Sequence, residues 1–181
     1  MKEQKKTINK GMLLYGLLLI VAGVIAFHFF RPQLDKSAFA PVNLNEYEGK
    51  TVADYFVEHL RMPAEDAKKA ADMGTSFYIT DGMTLDAMIS NLHYYGLVKD
   101  EKAFRYALEQ ADDTHPATKP NPFKIGNNDI DRGVYGLAPE MTAYQMAQIL
   151  VNYPQDIKTD YGYMFMPGGI YMGEPQLRPN K

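Results

Sequence analysis

The sequence predicts an α+β fold in which short strands lead through tight turns into capped helices, placed behind one N-terminal transmembrane helix. Three observations predict it. Residues 11–30, GMLLYGLLLIVAGVIAFHFF, form an uncharged run of 20 residues. Beyond them, the skeleton of GMTLDAMISNLHYYGL, beginning at Gly82, returns in EMTAYQMAQILVNY, beginning at Glu140: Met-Thr, then Met four and Leu eight residues after the threonine. Each copy follows a short run of strand character rich in aromatic and β-branched residues. With 181 residues, 46% hydrophobic and 23% charged, the chain can build one modest core plus appendages. It has no cysteine, which excludes a disulfide framework, thiolate-bound metal and a cysteine nucleophile.

Charge is divided unevenly along the chain. Residues 1–10 carry four Lys against one Glu, residues 11–30 carry no charge, and the remainder has 15 basic against 21 acidic residues, net −6. An acidic remainder argues against nucleic acid as a partner. At roughly 1.5 Å per residue, the uncharged run matches a bilayer core of about 30 Å, which reads as a single span. A cleaved signal peptide is the alternative, but its apolar region is usually about 7–15 residues long. The small-residue triplet Ala38-Phe39-Ala40 is followed directly by Pro41, which is expected to resist cleavage. Lys2, Lys5, Lys6 and Lys10 precede the run, whereas only Arg31 and Lys36 closely follow it, so the expected topology is single-pass in the cell membrane. Residues 1–10 are then a cytoplasmic tail and residues 31–181 extracytoplasmic. His28, within a turn of the exit, reads as a snorkelling or neutral ring.

Residues 31–46 contain Pro32 and Pro41 with no helical period and read as a linker. The folded domain is expected over residues 47–158. In its first unit, residues 47–75, Thr51 is an N-cap with Asp54 three residues on, and Val52, Tyr55, Phe56, His59 and Leu60 share a helix face. PAEDAKKAADMG then gives a short helix with Pro63 at its start, acids in the first turn and Gly74 as a stop. TSFYIT reads as a strand. Thr84 caps the next helix, whose Leu85, Met88, Ile89 and Leu92 recur on one face, with Gly96 as its stop. Asp100 caps another, with Phe104, Ala107, Leu108 and Ala111 inward. Residues 112–132, polar and proline-bearing, exceed the usual connection length and are expected to be an inserted surface loop or flap. Val134, Tyr135 and Leu137 read as a strand, and Thr142 with Gln145 forms a capping box ahead of Met146, Ile149 and Leu150. Because EGKTVADYF has the same Gly-x-Thr turn, the strand-turn-helix unit is expected three times, its copies stacked to bury their apolar faces.

FYITDGMTLDAMISNLHYYGLVKDEKAFRYALE, followed after the loop by GVYGLAPEMTAYQMAQILVN, resembles the LysM-like N-terminal region of the YceG-like family, the membrane-anchored endolytic murein transglycosylases often called MltG. The family pattern has counterparts at Ile79, Gly82 to Thr84, Gly96 to Val98, Phe104, Gly133 to Leu137 and Met141-Thr142. The resemblance covers residues 76–153, and the first unit is more loosely similar to a LysM module. It implies small LysM-like units and an association with the bacterial cell wall. Family enzymes place a catalytic domain with a general-acid glutamate after this region, whereas here only 28 residues follow Tyr153, with Glu174 their sole glutamate. Catalysis is therefore not carried over.

Other chemistry is weakly signalled. Asn127, Asp129 and Asp131 alternate like calcium ligands, but Gly133 comes one position late and no glutamate closes the loop, so a solvated loop is expected. Asp112, Asp113 and His115 are explained by a helix end running into a turn. His59 and His93 lack a second ligand at i+4. No cofactor or metal site and no catalytic residue is expected: Glu46, Glu48, Glu58, Glu65, Glu101, Glu109 and Glu140 lie at helix starts, polar faces or turns, where the charged form is favoured. The tail, residues 159–181, gathers Tyr161, Tyr163, Phe165 and Tyr171 with Met164, Met166 and Met172, and reads either as an arm over the domain's own core or as a partner-binding segment. The expected function is binding or positioning at peptidoglycan, with Tyr94, Tyr95, Tyr135 and Tyr144 as candidate glycan-binding residues. The alternatives are an interaction subunit of the cell-wall synthesis or division machinery and a minimal transglycosylase.

Overall fold

A computed structural model describes residues 20–21, 35–114, 117–159 and 161–168 of the chain. It divides into two units, Met1–Leu34 and Asp35–Lys181. Of the first, the described residues are Ile20 and Val21, helical and exposed. Among the described residues no helix is long and apolar enough to cross a membrane. Their five α-helices have nine or ten residues each, about 15 Å and half a bilayer core. The expected transmembrane helix over residues 11–30 and the single-pass localisation built on it are corrected accordingly; the rest of that run lies outside the described residues.

The second unit is α+β. A 3-10 turn, Lys36–Phe39, precedes helices α1 (Val52–Leu60) and α2 (Ala64–Asp72), strand β1 (Thr75–Ile79), helices α3 (Leu85–Tyr94) and α4 (Glu101–Gln110), the hairpin β2 (Phe123–Ile125) and β3 (Asn128–Ile130), strand β4 (Gly133–Leu137), helix α5 (Ala143–Asn152) and strand β5 (Phe165–Pro167). The predicted caps form as the side-chain chemistry requires. Thr51 and Asp54 make a reciprocal capping box on α1, as do Thr142 and Gln145 on α5. Thr84 accepts from the Ala87 amide at 3.1 Å and Asp100 from the Ala103 amide at 2.7 Å. Gly82, in the turn between β1 and α3, has φ +89°, which only glycine adopts freely.

β1 is the central strand of a three-stranded sheet ordered β4-β1-β5, with both neighbours antiparallel. Its pairing with β4 sets Phe77 opposite Tyr135. These residues are 58 positions apart in sequence, the same offset that separates Thr84 from Thr142, Met88 from Met146 and Leu92 from Leu150. Phe77 and Tyr135, equivalent in the two copies, thus face each other across an antiparallel pair, so the two strands are related by a local two-fold axis between them. Phe77, Tyr135, Met88, Met146, Leu92 and Leu150 are all fully buried. Writing the same strand-turn-helix twice yields two self-complementary strands whose helices close one core.

Two expectations are corrected here. The third copy is absent: residues 44–46 form a turn and Gly49 a bend, with no strand ahead of Thr51, and Tyr47 folds back on Gly49, where a Cβ would stand 2.6 Å from the phenol ring. Residues 112–132 are not a surface loop alone. They carry the β2–β3 hairpin, which buries Phe123, Ile125 and Ile130, and the segment is braced at three points. The buried Asp131 carboxylate accepts from the Thr118 amide and hydroxyl and the Lys119 amide. Asn128 donates to the Leu108 and Ala111 carbonyls at the end of α4, and Asn152 accepts from the Thr114 amide and hydroxyl while donating to the Asp112 carbonyl. Of the alternating Asn127, Asp129 and Asp131, Asp131 is buried in this bracing and the Asp129 carboxylate pairs with Lys124 at 3.0 Å. Of the two readings of the tail, residues 164–167 follow the first, an arm on the core, with Phe165 fully buried against Phe77, Tyr55 and Tyr95. Tyr171, Met172 and Glu174 lie outside the described residues.

Candidate functional site

The four tyrosines separate into two surface residues and two interior ones. Tyr135 is fully buried, its hydroxyl donating to the Asp131 carbonyl at 2.7 Å, and burial, with the Asp131 carboxylate a smaller cause, pushes the phenol far above its usual range. It is a core residue and presents nothing to a ligand. Tyr95 is also buried, as the residue that ends α3. Tyr94 and Tyr144 are 51% and 43% exposed, but no ring contact joins them.

Tyr94 stands in a closely packed setting. α3 ends where Gly96 turns left-handed at φ +70°, with the Leu97 and Val98 amides both donating to the Leu92 carbonyl. Tyr47 is clamped between Gly96 and Gly49 and donates its hydroxyl to the His93 carbonyl at 2.7 Å, fastening the 44–50 segment to the end of α3. A Cβ on Gly96 would stand 3.0 Å from that ring. The Tyr94 ring meets Tyr95 edge-on, 4.9 Å between centroids, and Tyr95 in turn meets Tyr55 at 5.2 Å and Phe165 at 5.4 Å. An exposed ring is therefore backed by a chain of buried ones, each in the edge-to-face arrangement that the ring quadrupoles favour.

Tyr95 also lines a cleft of ≈ 590 Å³ between α1, α2 and the end of α3. Its apolar floor includes Val52, Val57, Ala71 and Leu97, and its polar groups include Asn45, Thr51, Lys68 and Asp72. The Asp54 carboxylate on this rim is engaged by the Thr51 amide and hydroxyl at 2.7 and 2.8 Å. Beside the cleft, Lys50 binds both Glu58 oxygens, at 2.5 and 2.7 Å, and that contact raises the lysine's pKa. Burial raises the phenols of Tyr47 and Tyr95, with Tyr94 contributing in each case. At neutral pH these groups are therefore hydrogen-bond donors. His59 packs on Tyr55 at 4.4 Å.

Tyr144 belongs to a second aromatic surface. Phe39 lies nearly parallel to its ring at 4.8 Å and edge-on to Tyr106 at 6.1 Å. Glu46, Glu48, Glu58, Glu65, Glu101, Glu109 and Glu140 are exposed. Among the described residues no group of three or more His, Asp or Glu side chains is placed to hold a metal ion. Sequence reasoning missed Tyr47, Lys50 and the Phe39 contact. The close pair Gly49 and Tyr47 was the available signal for a clamp, but a clamp depends on Gly96, 47 residues away.

Comparison of the chain with family models, curated proteins and solved structures finds no match. The YceG-like resemblance rests on the sequence motifs alone.

Proposed function

We propose that the domain binds peptidoglycan glycan strands without cleaving them, with Tyr94 stacking on a sugar ring at the rim of the Tyr95-lined cleft. The observation that carries this reading is the exposure of Tyr94 on a support of buried, edge-to-face rings. A sugar face presents C–H groups that suit the negative face of an aromatic ring, and a ring already held in place loses little entropy on binding. The cleft beside it offers an apolar floor with a few hydrogen-bonding groups, the usual make-up of a small-ligand site. The exposed glutamates favour binding over hydrolysis, since a general acid needs a partly desolvated pocket to stay protonated near neutral pH.

The test is a pull-down of the purified full chain on insoluble peptidoglycan, compared with Tyr94→Ala. Retention of the wild type and loss of the variant supports the reading. Equal retention of the two, or none of either, defeats it. A second reading, an interaction subunit of the cell-wall synthesis or division machinery, draws on the Phe39, Tyr106 and Tyr144 surface. Tyr144→Ala that abolishes a protein contact while leaving glycan retention intact would favour it.

A further inference from the structure

Resting on the glycan-binding reading, we infer that Tyr47 is the positioning residue of this site: it holds the stacking residue Tyr94 and the 43–47 strap, one wall of the cleft, in place relative to each other. Two of the residues that line the cleft, Leu44 and Asn45, come from this strap, which precedes α1 and has no helix or strand of its own. Such a segment takes its position from what it docks on. Its middle is shaped by a turn, in which Asn43 accepts from the Glu46 amide through its carbonyl at 3.0 Å and from the Asn45 amide through its side chain at 3.2 Å. Upstream, Val42 is buried and Phe39 stacks on Tyr144.

Tyr47 fastens the downstream end of the strap to α3. Its hydroxyl reaches two carbonyls in the last turn of that helix, His93 at 2.7 Å and Tyr94 at 3.3 Å. Carbonyls at a helix end lack partners further along the helix, so a side-chain donor takes the place of water on them. Among the described residues, these two bonds are the hydrogen bonds that tie residues 43–47 to the rest of the domain. The second carbonyl belongs to the stacking residue itself, so the backbone that carries the Tyr94 ring is tied directly to the strap. The Tyr47 ring and Leu44 also share one platform, since a Cβ on Gly96 would stand 3.0 Å from the ring and 3.4 Å from the Leu44 side chain. Leu44 and Gly96 both line the cleft. One side chain thus joins the exposed ring to the wall beside it.

Gly49 completes this arrangement. A Cβ there would stand 2.6 Å from the hydroxyl end of the Tyr47 ring, and Gly49 is not among the glycines with positive φ, so it is the phenol beside it, and not its own backbone, that calls for glycine. A ligand that met a free ring and a free strap would have to order both, at a loss of affinity; Tyr47 orders them beforehand. A residue that merely stabilised the fold would change how much of the protein is folded and would leave the affinity of the folded protein as it was.

The experiment measures the affinity of the full chain for peptide-free glycan strands released from peptidoglycan, at a temperature where every variant is folded by far-ultraviolet dichroism. Tyr47→Ala and Gly49→Ala, the second of which displaces the phenol without deleting it, should each weaken binding by about threefold to thirtyfold, and Tyr47→Phe, which keeps the ring on Gly96, should recover most of that loss. Leu150→Ala, a core change outside the cleft lining, should bind as the wild type does. A reading without ligand comes from Tyr94→Trp: the chain has no tryptophan, so the indole is a single reporter at the stacking position, and its fluorescence anisotropy should fall when Tyr47→Ala is added. Wild-type affinity in Tyr47→Ala and Gly49→Ala, with binding still lost in Tyr94→Ala, overturns the inference and leaves the glycan-binding reading standing. A loss in Leu150→Ala as large as in Tyr47→Ala also overturns it, by assigning the effect to stability. Absence of Tyr94-dependent binding in the wild type overturns the glycan-binding reading itself, and the anisotropy then decides the positioning role alone, a fall supporting it and an unchanged value overturning it.

Discussion

Positions 94 and 152 are equivalent in the two strand-turn-helix copies, each ten residues after its capping threonine, yet they have opposite fates. Tyr94 is half exposed and backed by Tyr95, whereas Asn152 is 5% exposed and hydrogen-bonds to Thr114, Asp112 and Gln148, tying the 112–114 segment to α5. The neighbouring positions diverge as well. Asp86 pairs with Arg105 on the surface, and its equivalent, Tyr144, stacks on Phe39. What stays alike is the buried face: Phe77 with Tyr135, Met88 with Met146, Leu92 with Leu150. The copies share a core because the local two-fold axis demands matching halves. They differ wherever a residue faces something outside the pair, be it solvent, the hairpin or the N-terminal 3-10 turn.

The largest test of this comparison is at the shared face. Leu92→Ala and Leu150→Ala should each destabilise the fold by about 2–5 kcal/mol, since both side chains are fully buried and each leaves a cavity. Chemical denaturation measures it, and a negligible loss at either leucine breaks the equivalence of the halves. Next is the divergent pair. Asn152→Ala should cost about 1–3 kcal/mol by deleting its buried hydrogen bonds to the Thr114 amide and the Asp112 carbonyl, while Tyr94→Ala should stay within about 0.5 kcal/mol of wild type. A large stability loss at Tyr94 would make it a packing residue and remove the basis of the candidate site.

Tyr135 and Phe77 differ by one hydroxyl, and Tyr135→Phe should cost about 0.5–1.5 kcal/mol by deleting the donor to the Asp131 carbonyl. The same variant changes the alkaline limb. Burial raises the Tyr135 phenol above its ordinary value of 10.0, so the folded state keeps a proton that the unfolded chain begins to release. The resulting stability is complete below about pH 10 and declines as pH rises further; Tyr135→Phe should flatten that decline in a denaturation series. An unchanged slope would mean that the hydroxyl is not buried. The smallest effect belongs to Asp86→Ala, about 0–1 kcal/mol, because the Asp86 carboxylate is 84% exposed and its pair with Arg105 is screened by water.

Much of this molecule is local in origin and was therefore legible in sequence. The capping threonines and Asp100 act on amides three residues away, the glycine stops act through their own φ, and the inward stripes of the helices follow from a period of 3.6. The strands at residues 75–79 and 133–137 and the repeat itself were equally visible. The membrane-spanning expectation also came from a local count, and it found no helix of sufficient length among the described residues.

The remainder depended on partners distant in the chain. Polar composition marked residues 112–132 as a loop, but Asn128, Asp131 and Asn152 are bracing groups only because the fold brings carbonyls and amides to them from up to 40 positions away. Tyr94, Tyr95, Tyr135 and Tyr144 share one side chain, and the sequence alone could not rank them. Burial decided that, placing Tyr135 on the axis between the two halves, Tyr95 over Phe165, and Tyr94 and Tyr144 on separate faces. Local chemistry determines which segments turn, cap and coil, because those interactions close within a few residues. Which side of a given ring meets water is set only when segments far apart in the chain pack against it.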